Sequence, residues 1–379
     1  MFKRVQPSYR AGLALIYLVH LCVLGLFFFV IPSQWHHGWY FHHGGDQEGY
    51  YALAESLVEG QPVASKFPLG FPLLLAPAIM LTQPAGWEDL VPPFVVLHAF
   101  VLHGLSQVLL GAIARRVTHS RALALLVVLG WVLTPLALYA AVSVAHSQQL
   151  AANWAVHLPW LQMLSDPPAA FLTLLVIWIW FKGFDSGRLG WVGVAGLLSG
   201  FLGLVRFSGL LTPGLLGLVM LYKRRWRELA IFGAATALTF APQLVYNAHF
   251  WGGPLTFGYV TTEEDPGRQL FSASYFADGA SLLAGRPAAL IVVAAGIMIA
   301  ALGWAWLWRR DRLGAVIVGG WALSYAAFYG AYYYSWVGGM TRFLIPAYPA
   351  GVITLAACAA LGWRVLFSRS SRRRKARRG

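Results

Sequence analysis

The chain is short of charge. Of its 379 residues only 28 are Lys or Arg and 14 are Asp or Glu, so 11% of positions are charged, against about a quarter in soluble domains. With 58% of positions hydrophobic, this shortage excludes a single water-soluble globule. Cysteine is nearly absent too. Cys22 and Cys358 both lie in apolar runs, which excludes a disulfide framework or a cysteine-spaced metal site and leaves them as packing residues. There is no internal repeat, and no stretch between apolar runs is long enough for a separate soluble domain of ordinary size.

What is present is a series of long apolar runs. Residues 11–32, 95–114, 122–142 and 291–308 each offer roughly the 17 to 25 residues needed to cross a hydrocarbon core. The first follows Lys3, Arg4 and Arg10 and has no Ala-x-Ala-like cleavage site before Gln34, so it reads as a retained span. Basic residues mark cytoplasmic ends. They cluster at Arg115/Arg116/Arg121, Lys182/Arg188, Lys223/Arg224/Arg225/Arg227, Arg309/Arg310/Arg312 and from Arg364 onward.

The segment Phe67–Gln83 is apolar but holds Pro68, Pro72 and Pro77. If it spanned, Glu88 and Asp89 would face the cytoplasm and Arg115/Arg116 the outside. It therefore belongs in the outer interface, or dips in and returns where protein or water covers its backbone. The expectation is an all-α polytopic transmembrane protein of the plasma (bacterial inner) membrane. Its ten spans fall near 11–32, 92–114, 121–142, 165–182, 189–205, 208–222, 229–247, 283–308, 314–334 and 343–363. Both termini are cytoplasmic, with one transmembrane domain over 1–363 and a basic tail over 364–379.

Mapped onto this topology, 23 of the 28 basic residues are cytoplasmic and eleven of the 14 acidic residues are outside. The net charge of +14 then reports orientation rather than a nucleic-acid partner. The tail Arg372–Arg378 reads as topogenic and solvated, and also fits an anionic-lipid patch. The cations left outside are Lys66, Arg206, Arg268, Arg286 and Arg342.

In the first outer loop Tyr50, Leu53, Ala54 and Leu57 recur at i, i+3, i+4 and i+7. This spacing predicts a short amphipathic helix on the membrane surface, ending near Gly60. Asp46 stands just before it and Asp166 just before Pro167-Pro168, so either aspartate fits a helix N-cap. His36, His37, His42 and His43 suggest a metal site with Asp46 or an interfacial aromatic belt with their Trp and Tyr neighbours. His98 and His103 fit helix packing. Glu263-Glu264-Asp265 reads as a solvated loop, and Arg268 and Arg286 as surface residues.

Asp46, Tyr50, Ala54, Leu57 and Gly60, followed by Lys66-Phe67-Pro68-Leu69-Gly70-Phe71-Pro72 and Pro77, resemble the first outer loop of the C-type integral-membrane glycosyltransferases. That superfamily includes protein O-mannosyltransferases and the lipid A aminoarabinose transferase. Gly196–Arg206, Tyr246-Asn247 with Phe250–Pro254 and Gly258-Tyr259, and Arg342–Pro349 extend the resemblance over most of residues 1 to 350. The resemblance implies transfer of a sugar from a polyprenyl-phosphate donor to a lipid, glycan or protein acceptor on the outer face. It assigns Asp46 as base or acceptor-orienting group. Many relatives place a second acidic residue directly after the first, whereas here Gln47 precedes Glu48, which leaves open whether Glu48 substitutes and whether a divalent metal is bound.

The chemistry agrees. A phosphate on an anomeric carbon is already a good leaving group, so one carboxylate toward an acceptor hydroxyl and cations for the departing phosphate suffice. Lys66, Arg206 and Arg342 are the candidate phosphate ligands, because charges at the membrane rim are costly and usually functional. The alternative for each is snorkelling to lipid headgroups. Tyr50, Asp166 and Tyr259 are candidate acceptor or cavity residues. The rival reading is a multi-pass transporter or flippase of a lipid-linked sugar or small molecule, for which repeat symmetry and mid-bilayer ionisable residues are expected.

Overall fold

The computed structural model of the chain describes residues 6–31, 36–37, 40–41, 45–145, 158–261, 269–284, 287–333 and 340–376. Its principal helices are α1 (Tyr9–Val30), α2 (Asp46–Val58), α3 (Gly70–Thr82), α4 (Trp87–Thr118), α5 (Arg121–Ala145), α6 (Asp166–Ser186), α7 (Leu189–Val205), α8 (Leu211–Tyr222), α9 (Trp226–Trp251), α10 (Ser274–Ala284), α11 (Pro287–Trp308), α12 (Arg312–Gly330) and α13 (Tyr348–Ala376). The described strand pairing is a two-residue antiparallel contact of His36–His37 with Tyr40–Phe41.

Six helices, α1, α4, α5, α6, α9 and α12, are long and apolar enough to cross a membrane. The other apolar helices are shorter, among them α7 and the stretches Val293–Trp308 and Tyr348–Trp363. Among the described residues, each of the ten stretches expected to span is largely helical. α3 has 13 residues and carries Pro77 inside it. It rises about 20 Å, less than a hydrocarbon core of about 30 Å, as is also true of the 12-residue α8.

Helix α2 differs from a surface-lying helix. Tyr50, Leu53 and Ala54 are buried, and α2 packs on α3, so its apolar face meets protein rather than lipid. Cys22 is exposed on α1 and Cys358 partly buried, so only the second is a packing residue. α13 continues without a break past residue 363 to Ala376.

Helix α7 is the hub, packed against α6 and α9. Its glycines explain the closeness: a Cβ on Gly196 would meet the Phe232 carbonyl oxygen, and one on Gly200 the Thr236 carbonyl oxygen. Small residues at this spacing let two backbones approach, and Thr236 Oγ1 donates to the Gly196 carbonyl at 3.1 Å. In α4, the turn Val96–Leu102 is π-helical. Its Ala99 and Phe100 carbonyls accept from His20 Nε2 at 2.8 Å and Tyr17 hydroxyl at 3.1 Å, both on α1. His103 stacks between His20 and Trp131, and His98 Nδ1 donates to the Gln162 carbonyl at 3.0 Å. These histidines tie helices together.

The two ends of the bundle carry separate ionic networks. At one end Arg116 bridges Asp185, at the end of α6, and Asp311, which caps α12 by accepting from the Gly314 amide. The other end begins where α6 begins, at Asp166.

Candidate functional site

Four distant pieces of chain meet at that second end. Asp46 opens α2, but Gly45 holds the cap position with φ +45°, and no side chain caps the helix. A residue lacking Cβ takes that conformation most readily. The Asp46 carboxylate is thereby left to face inward, and Oδ2 accepts from Arg342 Nη2 at 2.6 Å. Asp166 opens α6 and likewise caps nothing. Its side chain is 0% exposed. Oδ1 accepts from Arg206 Nη1 at 2.5 Å and Oδ2 from Arg342 Nε at 2.9 Å. A fully buried carboxylate requires such partners, since an unpaired buried charge costs several kcal/mol.

The result is a continuous chain of charge: Asp46, Arg342, Asp166, Arg206. Beyond it, Arg206 Nε donates to the Tyr329 hydroxyl at 3.2 Å, and Tyr329 donates to Ser208 Oγ at 2.7 Å. Phe343 stacks on Tyr329, and both guanidiniums lie over its ring, at 5.2 Å for Arg206 and 5.8 Å for Arg342. Among the described residues, Arg342 Nη1, Arg206 Nη2 and Asp46 Oδ1 retain no protein partner.

Lys66 lies on the segment between α2 and α3, exposed, with Nζ 5.6 Å from the Phe67 ring centre. It makes no ion pair among the described residues. Helix α9 braces this segment. The Tyr246 hydroxyl donates to the Val63 carbonyl at 2.6 Å and accepts from the Ser65 amide at 2.8 Å. Gln243 Oε1 accepts from the Leu69 amide at 2.9 Å, and Gln243 Nε2 donates to Asn247 Oδ1 at 2.9 Å. A Cβ on Gly258 would strike the Lys66 backbone, and one on Gly70 the backbone at Leu204 and Val205. These glycines mark close approaches between the segments.

Tyr50 shares a 2.8 Å hydrogen bond with Ser165 Oγ and packs against Phe67 and Phe71. Tyr259 stands edge-on to Phe67 and Phe207. Burial, and then the charge of Asp46 among other groups, pushes the Tyr50 phenol up, and burial with the neighbouring Tyr50 and Asp46 does the same to Tyr259. Both stay neutral donors. For Asp46 burial acts first and pushes the carboxyl up, but Arg342, by charge and hydrogen bond, with the charges of Lys66 and Arg206, holds it below its ordinary value. Burial pulls Arg342 down, and Asp166 and Asp46 more than reverse it.

The structure thus brings Asp46, Tyr50, Lys66, Asp166, Arg206, Tyr259 and Arg342 to one end. Glu48 is not part of the cluster. Two positions beyond Asp46, it is exposed on another face of α2. Gln47 turns inward, and its Oε1 accepts from the Met163 amide at 2.9 Å, so it braces the segment leading to Asp166. Ser165, Ser208, Tyr329 and Gln243 escaped the sequence reading, and Gln47 entered it only as the residue between Asp46 and Glu48. Gln243 and Asn247, polar and four apart in an apolar helix, were the one available signal. The side chains of His36, His37, His42 and His43, together with Glu263, Glu264, Asp265, Arg268 and Arg286, lie outside the described residues. Among the described residues no three His, Cys, Asp or Glu side chains gather as a metal site requires.

No family model and no curated protein matches the sequence. Solved structures do match. The oligosaccharyltransferase of Archaeoglobus fulgidus, tethered to an acceptor peptide, aligns with 94% of this chain at a TM-score of 0.57 and 13% identity, over 49% of its own length. The same archaeal AglB in complex with an inhibitory peptide and a dolichol-phosphate aligns with 99% of this chain at 0.54 and 12%, over 52% of its length. ArnT from Cupriavidus metallidurans aligns with 93% at 0.51 and 17%, over 60% of its length. The chain shares its fold with the matched parts of these two proteins. It spans about half the length of the archaeal enzyme and somewhat more of ArnT. Within that fold, Asp46 opens α2, and the charge network is built around it.

Proposed function

We propose that the chain is a membrane glycosyltransferase that moves a sugar from a polyprenyl-phosphate donor to an acceptor hydroxyl on the extracytoplasmic face, with inversion at the anomeric carbon. The observation that carries the reading is the set of unused polar atoms at one end of the bundle. Arg342 Nη1, Arg206 Nη2 and the Lys66 ammonium are cationic donors with no protein acceptor among the described residues, and Asp46 Oδ1 is the carboxylate oxygen left free beside them. The archaeal neighbour's complex with a dolichol-phosphate supports a lipid-phosphate ligand.

In this reading the acceptor oxygen forms a bond to the anomeric carbon as the carbon–oxygen bond to phosphate breaks, and the electron pair leaves with the phosphate. Lys66, Arg206 and Arg342 take up the charge that develops on the departing phosphate. Asp46 Oδ1 orients the acceptor hydroxyl and takes its proton. With its proton affinity depressed, Asp46 is a weak base at rest, so transfer of the proton comes late, when the attacking oxygen has become acidic. Tyr50 holds Ser165 beside Asp166, and Tyr259 lines the aromatic wall where a sugar or isoprenoid unit rests. Ten spans with both termini in the cytoplasm complete the reading, with the Arg116 network on the cytoplasmic side, consistent with the positive-inside rule.

The archaeal neighbour has also been solved as a complex with zinc and sulfate. The donor set at the cluster here does not fit a divalent ion. Both oxygens of Asp166 and one of Asp46 are engaged by guanidinium groups, so an ion at these carboxylates, four-coordinate as zinc or six-coordinate as magnesium, would be held against two like charges. Donor sugar, carrier and acceptor are read from an assay of the purified protein in vesicles against a panel of polyprenyl-phosphate sugars. Transfer from at least one donor is expected. No transfer from any, or undiminished transfer by a normally accumulating Asp46→Asn protein, overturns the reading.

A further inference from the structure

The unused polar atoms explain phosphate binding, but not why Arg342 sits between two carboxylates. Its guanidinium gives Nη2 to Asp46 and Nε to Asp166, each within 3 Å. That is the place a bridging cation takes between two acidic side chains contributed by different helices. Its neighbour Arg206 binds the remaining Asp166 oxygen. Together the two guanidiniums bring the charge of one divalent ion to the two carboxylates. They do so with directional N–H donors rather than with a coordination shell.

We propose that Arg342 replaces a bridging divalent cation, so that the site works without metal. The proposal rests on the glycosyltransferase reading and deepens it. Three features of the structure carry it. Each oxygen of the Asp166 carboxylate, and one of Asp46, already faces a guanidinium cation. The Arg342 side chain is fixed from three sides: by two carboxylates and by the Phe343 ring beneath it. The nitrogen that remains, Nη1, is a paired N–H donor of the kind that recognises phosphate oxygens. One residue thereby does what a metal does in a phosphate-leaving reaction: it fixes the carboxylates and neutralises the departing charge. A guanidinium stays charged at every physiological pH and does not dissociate from the protein.

The test reads metal binding directly. Purified wild-type protein is titrated with Mn²⁺ while the free ion is followed by electron paramagnetic resonance. No saturable site is expected. Arg342→Ala leaves Asp46 and one oxygen of Asp166 without their cation, and a saturable Mn²⁺ site is expected to appear. The Asp46→Asn, Arg342→Ala double variant is expected to lose that site again. In parallel, wild-type protein dialysed against EDTA keeps its transfer rate, whereas Arg342→Ala loses about 10²-fold. Size-exclusion profiles confirm that each variant is folded, and Arg342→Gln takes the place of an alanine variant that does not accumulate.

A wild-type Mn²⁺ site that Asp46→Asn abolishes overturns the proposal. So does transfer that EDTA removes and Mn²⁺ restores. Failure of the folded Arg342 variant to acquire a site also overturns it, because the carboxylates then do not form a cation cradle. The Mn²⁺ titration needs no sugar transfer, so a protein inactive toward every polyprenyl-phosphate donor sinks the functional reading while leaving this one decidable.

Discussion

Asp46 and Arg342 stand 296 residues apart in the chain and 2.6 Å apart in space. The contact joins the start of α2 to the turn before α13. It leaves one oxygen of the aspartate and one nitrogen of the arginine facing away from each other's bond, each available to a substrate.

Replacement of Asp46 by Asn keeps the size of the side chain and removes the acceptor for the hydroxyl proton. A loss of about 10² to 10⁴-fold in transfer rate is expected, the range for a positioned acid or base, with normal accumulation in the membrane. The measurement is initial rate per chain in vesicles, and a loss under tenfold contradicts the assigned role.

The pH dependence has a defined sign. The active form of Asp46 is the anion, and Arg342, Lys66 and Arg206 hold its carboxyl below the ordinary value despite burial. Activity of the free enzyme therefore persists as pH falls through the usual carboxylate range near 4, and the acid limb of kcat/KM lies below it. In Arg342→Gln burial is less opposed, and the limb shifts upward. A wild-type limb above pH 5 contradicts this assignment.

Asp166 is the buried keystone. Asp166→Asn leaves Arg206 and Arg342 without their shared anion, a loss of about 3 to 5 kcal/mol for one partner of a buried ion pair. Thermal unfolding in detergent should show a clearly lower midpoint. Glu48→Gln, exposed and outside the network, should leave it unchanged.

Gly200→Val inserts a side chain against the Thr236 carbonyl of α9. Overpacking of this kind costs about 1 to 3 kcal/mol and shifts α7, whose end carries Arg206. A lower thermal midpoint with a raised KM for donor is expected. A variant with both unchanged shows that the two backbones can separate freely.

The ten-span topology is open to single-cysteine labelling after Cys22 and Cys358 are replaced. An impermeant maleimide added to intact cells should react at positions 48 and 89 and fail at 187 and 226. Labelling at 187 with protection at 89 reverses the non-crossing assignment of α3.

The sequence alone was enough to draw the apolar stretches that become helices and a short list of charges containing Asp46, Lys66, Asp166, Arg206 and Arg342, which the fold gathers at one end. These are legible because hydrophobic length, proline and charge sidedness act locally or through the bilayer, which treats every segment alike. Local spacing also offered a cap for Asp46 and Asp166. In the folded chain both carboxylates turn instead to guanidiniums from other helices. Glu48, two residues from Asp46, reads as an equal candidate in sequence and lies on a different helical face in space. The parts of Ser165, Gln47, Tyr329 and Gln243 emerged only when α6, α9 and α12 were brought beside α2. The glycine face of α7 sets that approach, and the pairing of buried charges selects which residues meet. Helical periodicity fixes the face a residue occupies, but not the partner across the gap, because the partner's position depends on how all the helices pack together.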